Sequence, residues 1–513
     1  MTEPTTVEAG PASPLTSRRK AIFLVTALGA FMGSLDLSIV NVAFPALERT
    51  FSHDPRASLA WIITGYSIVF GSLLVIAGRT ADRRGSRQVF FAGLAVFCLG
   101  SALCGIAPTV PLLIAGRVVQ AIGAAALLPA SLSLLLDAYP SERRSQIVAL
   151  WGGIGALAVA TGPSFGAALI TAFGWRSAFY VNLPVGLVAW LVGRRVLAAS
   201  TGSRTRNAPD YPGAAMLSAS LAALVLAISE GPSWGWTSKW IVGAFVGAVV
   251  LGAAFLFRSG RHDEPVLDLS LFRARSFTIA NTAALLYSMG FFAMLLGNIL
   301  FLTSVWHYSI LDAGLAVTPG PLVVAFVSGP AGKLAARFGF RRILIGGFSV
   351  FTCGLLWYAL RVHLQPDYLA VWLPGTLIAG LGIGLTFPVL SAAAVSSLRQ
   401  ERFAVGSAVN QTARQIGGAL GVALLVVILG VPKNANEALT NFHHLWLYAA
   451  SMTILSGLIS TLLRRPSTAS PHPESDLFVA RSHAMEEVLD GEIVTLGRPD
   501  RVTGAASRIE DVQ

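Results

Sequence analysis

About fourteen stretches of this chain are apolar for long enough to cross a lipid bilayer, which takes roughly 20 residues of helix. They fall near 21–45, 58–78, 88–107, 110–136, 145–172, 177–198, 213–230 and 239–257, and then near 276–304, 312–332, 341–360, 367–395, 404–430 and 442–463. Of the 513 residues 54% are hydrophobic and only 12% are charged. A soluble protein carries about 25% charged residues, so much of this surface must face lipid. The net charge of +11 does not point to nucleic acid, because the arginines cluster in short loops between the apolar runs. The chain is expected to be an all-α, polytopic membrane protein.

Loop charge then sets the orientation, since basic residues stay on the cytoplasmic side. One set of loops holds Arg79, Arg83, Arg84 and Arg87, then Arg143 and Arg144, then Arg194, Arg195, Arg204 and Arg206. It continues with Arg258, Arg261, Arg273, Arg275, Arg337, Arg341, Arg342, Arg399 and Arg402, while the alternate loops hold little beyond Arg176, Lys239, Arg361 and Lys433. Both termini are therefore expected in the cytoplasm of a cell whose inner (plasma) membrane holds the chain. The first apolar run is too long for a signal-peptide core and contains Asp36, so it reads as a retained span. Cys98, Cys104 and Cys353 all lie inside apolar runs and form no disulfide or metal spacing. Trp234, Trp236 and Trp240 occupy one short turn and read as headgroup-level anchors.

The segment AGRTADRRGSRQVFFAG, Ala77 to Gly93, returns altered as AGKLAARFGFRRILIGG, Ala331 to Gly347. Ala, Gly, Ala, Arg, Gly, Arg and Gly recur in register, and both copies sit between long apolar runs. Such a repeat implies two related helical bundles able to rock about a site between them. A second echo sets Gly162 and Gly166 opposite Gly417 and Gly421. The expected organisation is a cytoplasmic segment 1–20, a six-helix bundle 21–198, a two-helix insert with flanking loops 199–275, a second six-helix bundle 276–463 and a partly disordered cytoplasmic tail 464–513.

Three intramembrane charges carry the chemistry. Asp36 lies within LDLSIVNVAFP, and an ionised carboxylate at that depth costs several kcal/mol unless hydrated or paired. It must face water, take up a proton, cap a helix or pair with an arginine. A group poised between such states couples protonation to conformation. Arg117 shares one helix face with Gln120, Ala121 and Ala124 by three- and four-residue spacing. It is able to hold the carboxylate in one conformation and release it in another, or to hold a freed carbonyl or a helix end instead. In NQTARQIGGALG, Asn410 and Arg414 are one turn apart, as are Gln411 and Gln415, so Arg414 is a gate, interface or cavity residue. Gly162 and Pro163 with Gly166 mark a kinked, closely packed helix. Asp82, beside Arg83, Gly85 and Arg87, suits a latch to the adjoining bundle, one-sided because the second copy has Ala336 there. There is no nucleophile–base pair, no metal cluster and no phosphate-binding GxxxxGK[ST] loop, so neither an enzyme nor a resident cofactor is expected and the energy must come from an ion gradient.

Taken together these motifs resemble the major facilitator superfamily, and within it the fourteen-span drug:proton antiporter family. The loop Gly78 to Arg87 is similar to the superfamily's signature between its second and third helices, with Thr80 and Ser86 as departures. Arg117, Gln120 and Gly123 match a fourth-helix motif, with Ala121 for a glycine. Gly162, Pro163 and Gly166 match the fifth-helix antiporter motif, with Ala158 and Ala167 for glycines. Leu35-Asp36 through Asn41 and Pro45, Gly174-Trp175-Arg176 leading to Phe179, Asn182 and Pro184, and Asn410 to Gly421 resemble signatures of the fourteen-span exporters.

The resemblance implies a major facilitator fold of two pseudo-symmetric six-helix bundles plus two extra central helices. It implies export of hydrophobic or cationic small molecules in exchange for protons, by alternating access and without a cofactor. Proton coupling then falls to Asp36 and Arg117, and the substrate cavity to Asn41, Gln120, Asn182, Asn410, Arg414 and Gln415. Gating falls to Gly78, Asp82, Arg83, Gly85 and Arg87, their second-half counterparts Gly332, Arg337, Gly339 and Arg341, and Gly162, Pro163 and Gly166. The expected partners are a small-molecule substrate, protons and the lipid bilayer, with the chain a monomer. Export of a lipid, siderophore or secondary metabolite is the nearest alternative. A proton-coupled importer or a membrane sensor with a signalling tail lies further off.

Overall fold

A computed structural model describes residues 14–198, 209–398 and 402–463. The tail 464–513, the loop residues Arg204 and Arg206, and Arg399 lie outside these residues. The described chain is helical throughout. The first half holds α1 (Pro14–Thr50), α2 (Arg56–Arg84), α3 (Ser86–Ile106), α4 (Val110–Ala138), α5 (Ser141–Phe173), α6 (Ser177–Tyr180) and α7 (Asn182–Val196). A hairpin follows, α8 (Tyr211–Trp234) and α9 (Lys239–Ser259). The second half holds α10 (Arg275–Ser304), α11 (Ile310–Val317), α12 (Pro319–Phe338), α13 (Phe340–Arg361), α14 (Leu373–Val395), α15 (Phe403–Leu429) and α16 (Ala435–Ser460).

Twelve spans among the described residues are long and apolar enough to cross a membrane, α11 and α12 counting together as one. Two of the apolar runs read from sequence fall short by that measure. The run near 177–198 breaks at Val181 into the four-residue α6 and the 15-residue α7. The last run belongs to α16, where Asn441, His443 and His444 dilute the apolar character of its first turns.

The sequence repeat is a repeat of structure. Ala81 and Ala335 each end a helix by accepting from the backbone N–H of the following glycine. Gly85 and Gly339 then turn the chain with φ of 96° and 87°, a region that a Cβ makes costly, and α3 and α13 start at once. The packing repeats as well. In the first half α3 lies on α4, α2 on α4 and α1 on α5; in the second, α13 lies on α14, α12 on α14 and α10 on α15. Gly162 and Gly166 let α5 close on Ser38 and Ile39 of α1, and Gly417 and Gly421 let α15 close on Leu285 and Met289 of α10.

The halves meet along two seams, α2 with α15 and α5 with α11 and α12. On the first, the Thr412 hydroxyl donates to the Gly71 carbonyl at 2.7 Å, and Gly71 leaves room for the Gln415 side chain. On the second, Gly314 of α11 sits against the Pro163 carbonyl and the Ala167 methyl. The α8–α9 hairpin lies outside the first seam, with Leu221 and Val225 packed on Ile68, Ala419 and Ala423. The outer face of α9 exposes Val242, Val246, Val249 and Val250, the surface expected of a helix in lipid. Trp234, Trp236 and Trp240 are all exposed at the hairpin turn.

Candidate functional site

Asp36 sits near the middle of α1, and five other elements of the first half converge on it and on its arginine partner. Arg117 of α4 donates to its Oδ2 at 2.6 Å. Gln120, one turn along α4, donates to its Oδ1 at 2.7 Å, and Asn182 at the start of α7 reaches the same oxygen at 3.4 Å. Arg117 is 1% and Asp36 0% exposed as side chains. The three- and four-residue spacing on α4 thus brings Arg117 and Gln120 to one carboxylate, and they bond each other at 2.6 Å.

The guanidinium is neutralised and enclosed on every side. Its Nε donates to the Ile62 carbonyl of α2 at 3.0 Å. The Tyr66 ring lies 4.1 Å from the guanidinium carbon and the Phe179 ring 5.9 Å. Ser101 of α3 accepts from both Gln120 and Asn182. Of the ways sequence left open for Asp36, the structure shows pairing with an arginine, both side chains being buried. The segment Gly174 to Pro184 supplies Phe179 and Asn182, so two separate motifs meet at one site. Ser101, Tyr66 and the Ile62 carbonyl were not singled out from sequence, since a Ser or Tyr within an apolar run carries no signal of its own.

The Asp36 cluster joins α5 at Pro163 through Ser38. Pro163 has no N–H, so it cannot donate to the carbonyl four residues back. That carbonyl belongs to Val159, and the Ser38 hydroxyl of α1 donates to it at 3.3 Å. Two residues from Asp36, α1 therefore satisfies the group that the proline leaves open. Pro163 also carries the α11 contact, so α1, α5 and the second bundle touch at one place.

The other polar residues are dispersed. Asn41 is buried and bonds back to the Leu37 carbonyl at 2.6 Å, leaving its Oδ1 without a partner. Asn410 donates to Asn281 of α10 at 3.1 Å. Gln415 faces Gly71 on the first seam with its Oε1 unpartnered. Arg414 points the other way, donating to Ser391 of α14 at 2.5 Å and lying 4.2 Å from the Phe387 ring centre.

At the arginine-loop end, Asp82 is exposed and makes no ion pair with a described residue. Its neighbour Arg79 instead reaches the chain between α9 and α10, donating to the Pro265 carbonyl at 2.6 Å and pairing with Glu264 at 3.3 Å. Arg87 lies over Phe91 and Arg337 over Phe338. Arg83 is half-buried and Arg341 exposed. Gly78 lies near Pro129, whereas Gly332 faces open space. No group of three or more His, Cys, Asp or Glu able to hold a metal occurs among the described residues.

Comparison with known proteins bears on this architecture. Stp, a multidrug resistance protein of Mycobacterium tuberculosis, is 33% identical over 407 residues, 79% of this chain and 75% of that one. The tetracenomycin C resistance and export protein of Streptomyces glaucescens is 30% identical over 429 residues, 83% of this chain and 79% of that one. Among solved structures, an auto-inhibited POT family peptide transporter superposes with a TM-score of 0.63 at 17% identity, covering 89% of this chain and 99% of its own, which speaks for the fold alone. Residues 26–422 match the Major Facilitator Superfamily. With two repeated helical halves and that match over most of its length, the chain belongs to the Major Facilitator Superfamily, and is a transporter rather than an enzyme.

Proposed function

We propose that this protein is a fourteen-span, proton-coupled efflux transporter that exports small hydrophobic molecules by alternating access. The helices at 177–196 and 435–460 complete the fourteen spans in this reading, the arginine loops lie in the cytoplasm, and the two termini with them. Export as the direction draws on the relatives, of which one is a resistance and export protein by name.

The observation that carries the proton coupling is the sealed Asp36–Arg117 pair. Breaking a buried pair by removing one charge costs about 3–5 kcal/mol, because the other is left uncompensated. A proton on Asp36 does that to Arg117, so protonation and the present arrangement of α1, α4 and α7 exclude one another. One charge falling through 100 mV supplies about 2.3 kcal/mol, enough to bias a balance of this size. Ser38 carries the change from α1 to α5 at Pro163 and so to the seam with α11. Substrate binds between the bundles, next to Asn410, Arg414 and Gln415 on α15.

The test is proton-driven efflux in proteoliposomes. Asp36→Asn keeps the shape of the side chain, accepts from Arg117 and abolishes uphill export while the protein still inserts and folds. Full uphill transport by that variant removes Asp36 from the coupling.

A further inference from the structure

Arg414 of α15 is a second arginine deep within a span and, unlike Arg117, it has no carboxylate of a described residue within 4 Å. It stands eleven residues into α15, about 16 Å along the helix at 1.5 Å per residue, near the middle of the apolar layer. A guanidinium there is expensive unless paired, hydrated or liganded. Its recorded bond goes to the neutral Ser391 hydroxyl, and its Nε is buried without a partner.

The residues around it have the same character. Tyr287 and Ser288 of α10 are 0% and 1% exposed, and neither hydroxyl has a partner. Phe387, whose ring bears the guanidinium, lies 6.5 Å from the Tyr287 ring and 6.2 Å from that of Phe291. On the Arg414 side of α15, Ser407 is exposed and Gln411 half-exposed, and Ser391 beside it is half-buried. Polar side chains left open within a membrane span border a water-filled space, since lipid leaves them unsatisfied. An unpaired cation, two unpartnered hydroxyls and an aromatic wall thus converge where α10, α14 and α15 meet.

We infer that this site receives the anionic group of an amphipathic organic acid, a carboxylate or an acidic enol or phenol on an aromatic or polycyclic body. The guanidinium takes the anion by charge-assisted hydrogen bonds, which are roughly twice as strong as neutral ones. Phe387 and Phe291 take the apolar body, and the Tyr287 hydroxyl donates to a second oxygen. The inference rests on the exporter reading and narrows it, since it favours acids over the cations that the family resemblance implies.

The test uses three probes with one apolar body: pyrenebutyrate, the uncharged pyrenebutanol and a pyrenebutyl trimethylammonium salt. Binding to the full chain in nanodiscs is read by fluorescence anisotropy at neutral pH. The acid is expected to bind at least tenfold more tightly than the alcohol, and the cation more weakly than either. Arg414→Gln erases the difference between acid and alcohol, and Arg414→Lys keeps part of it. Equal binding of acid and cation by the unaltered protein overturns the inference and needs no variant to fold. So does an Arg414→Gln protein that keeps the preference. Proton-driven export, measured separately on a mixed compound panel, reports on the exporter reading, so one idea can fall while the other stands.

Discussion

Asp36 is held by three neighbours, yet the residue that ties it to the rest of the molecule is Ser38. Its hydroxyl fills a vacancy made by Pro163 on another helix, and a buried carbonyl left bare costs about 1–3 kcal/mol. Ser38→Ala should therefore destabilise the protein by about 1 kcal/mol and slow transport. Pro163→Ala restores the missing N–H within α5, so the same serine change in that background should cost almost nothing. The measurement is a double-mutant cycle on thermal unfolding in detergent, with initial efflux rates beside it. Additive effects would show that the two residues are not coupled. The parts of this link were legible separately, because an intramembrane carboxylate and a proline within a span both break local rules. Their connection was not, since it depends on the register of α1 against α5. Arg117 and Gln120 were legible together because they share one helix, whereas Tyr66 and Ser101 arrive from others.

At the scale of helices, small residues decide how closely the elements approach. Gly162 and Gly417 stand at equivalent places, α5 on α1 and α15 on α10, and a Cβ at Gly417 would collide with the Leu285 carbonyl oxygen. That neighbour is backbone and cannot swing aside. Gly417→Ala should push the two helices apart and lower the unfolding temperature by several degrees. Gly346 of α13 has nothing within 4 Å of such a Cβ. Gly346→Ala should be neutral or raise stability by about 0.5–1 kcal/mol, the usual gain of Ala over Gly in a helix. Similar unfolding temperatures for the two variants would contradict the close-packing role. The echo of Gly162 in Gly417 was visible in the sequence because the spacing survives divergence. The break at Val181 was not, because no proline or glycine occupies it and the apolar run reads as continuous there, whereas the break at Thr318 is announced by Pro319, Gly320 and Pro321 right after it.

For the molecule as a whole, the alternating-access proposal has the bundles part at each end in turn, and the seams are where this conformation holds them together. One large apolar cluster joins the halves, with Phe44, Leu47 and Phe51 of α1 beside Ile299, Phe301 and Trp306 of α10 and its following turn, and a small one nearer the arginine loops sets Val75 of α2 against Phe277 and Val409 of the second half. The residues of the first bundle nearer the arginine loops, among them Val25, Phe90 and Leu134, form a separate cluster whose buried members all belong to that bundle. Contact away from the arginine loops passes through Gly314 against Ala167, where α11 meets α5 beside Pro163. Cysteines at these two positions, in a protein with Cys98, Cys104 and Cys353 replaced, are close enough to be joined with a small backbone adjustment. Joining them should hold the bundles together there, stop transport and leave substrate binding from the arginine-loop side intact, and reduction should restore the rate. The measurement compares efflux in proteoliposomes before oxidation, after it, and after dithiothreitol. A joined protein that transports at the full rate would mean that the α5–α11 seam never opens, and the rocking of two halves about a site between them would have to use the α2–α15 seam alone.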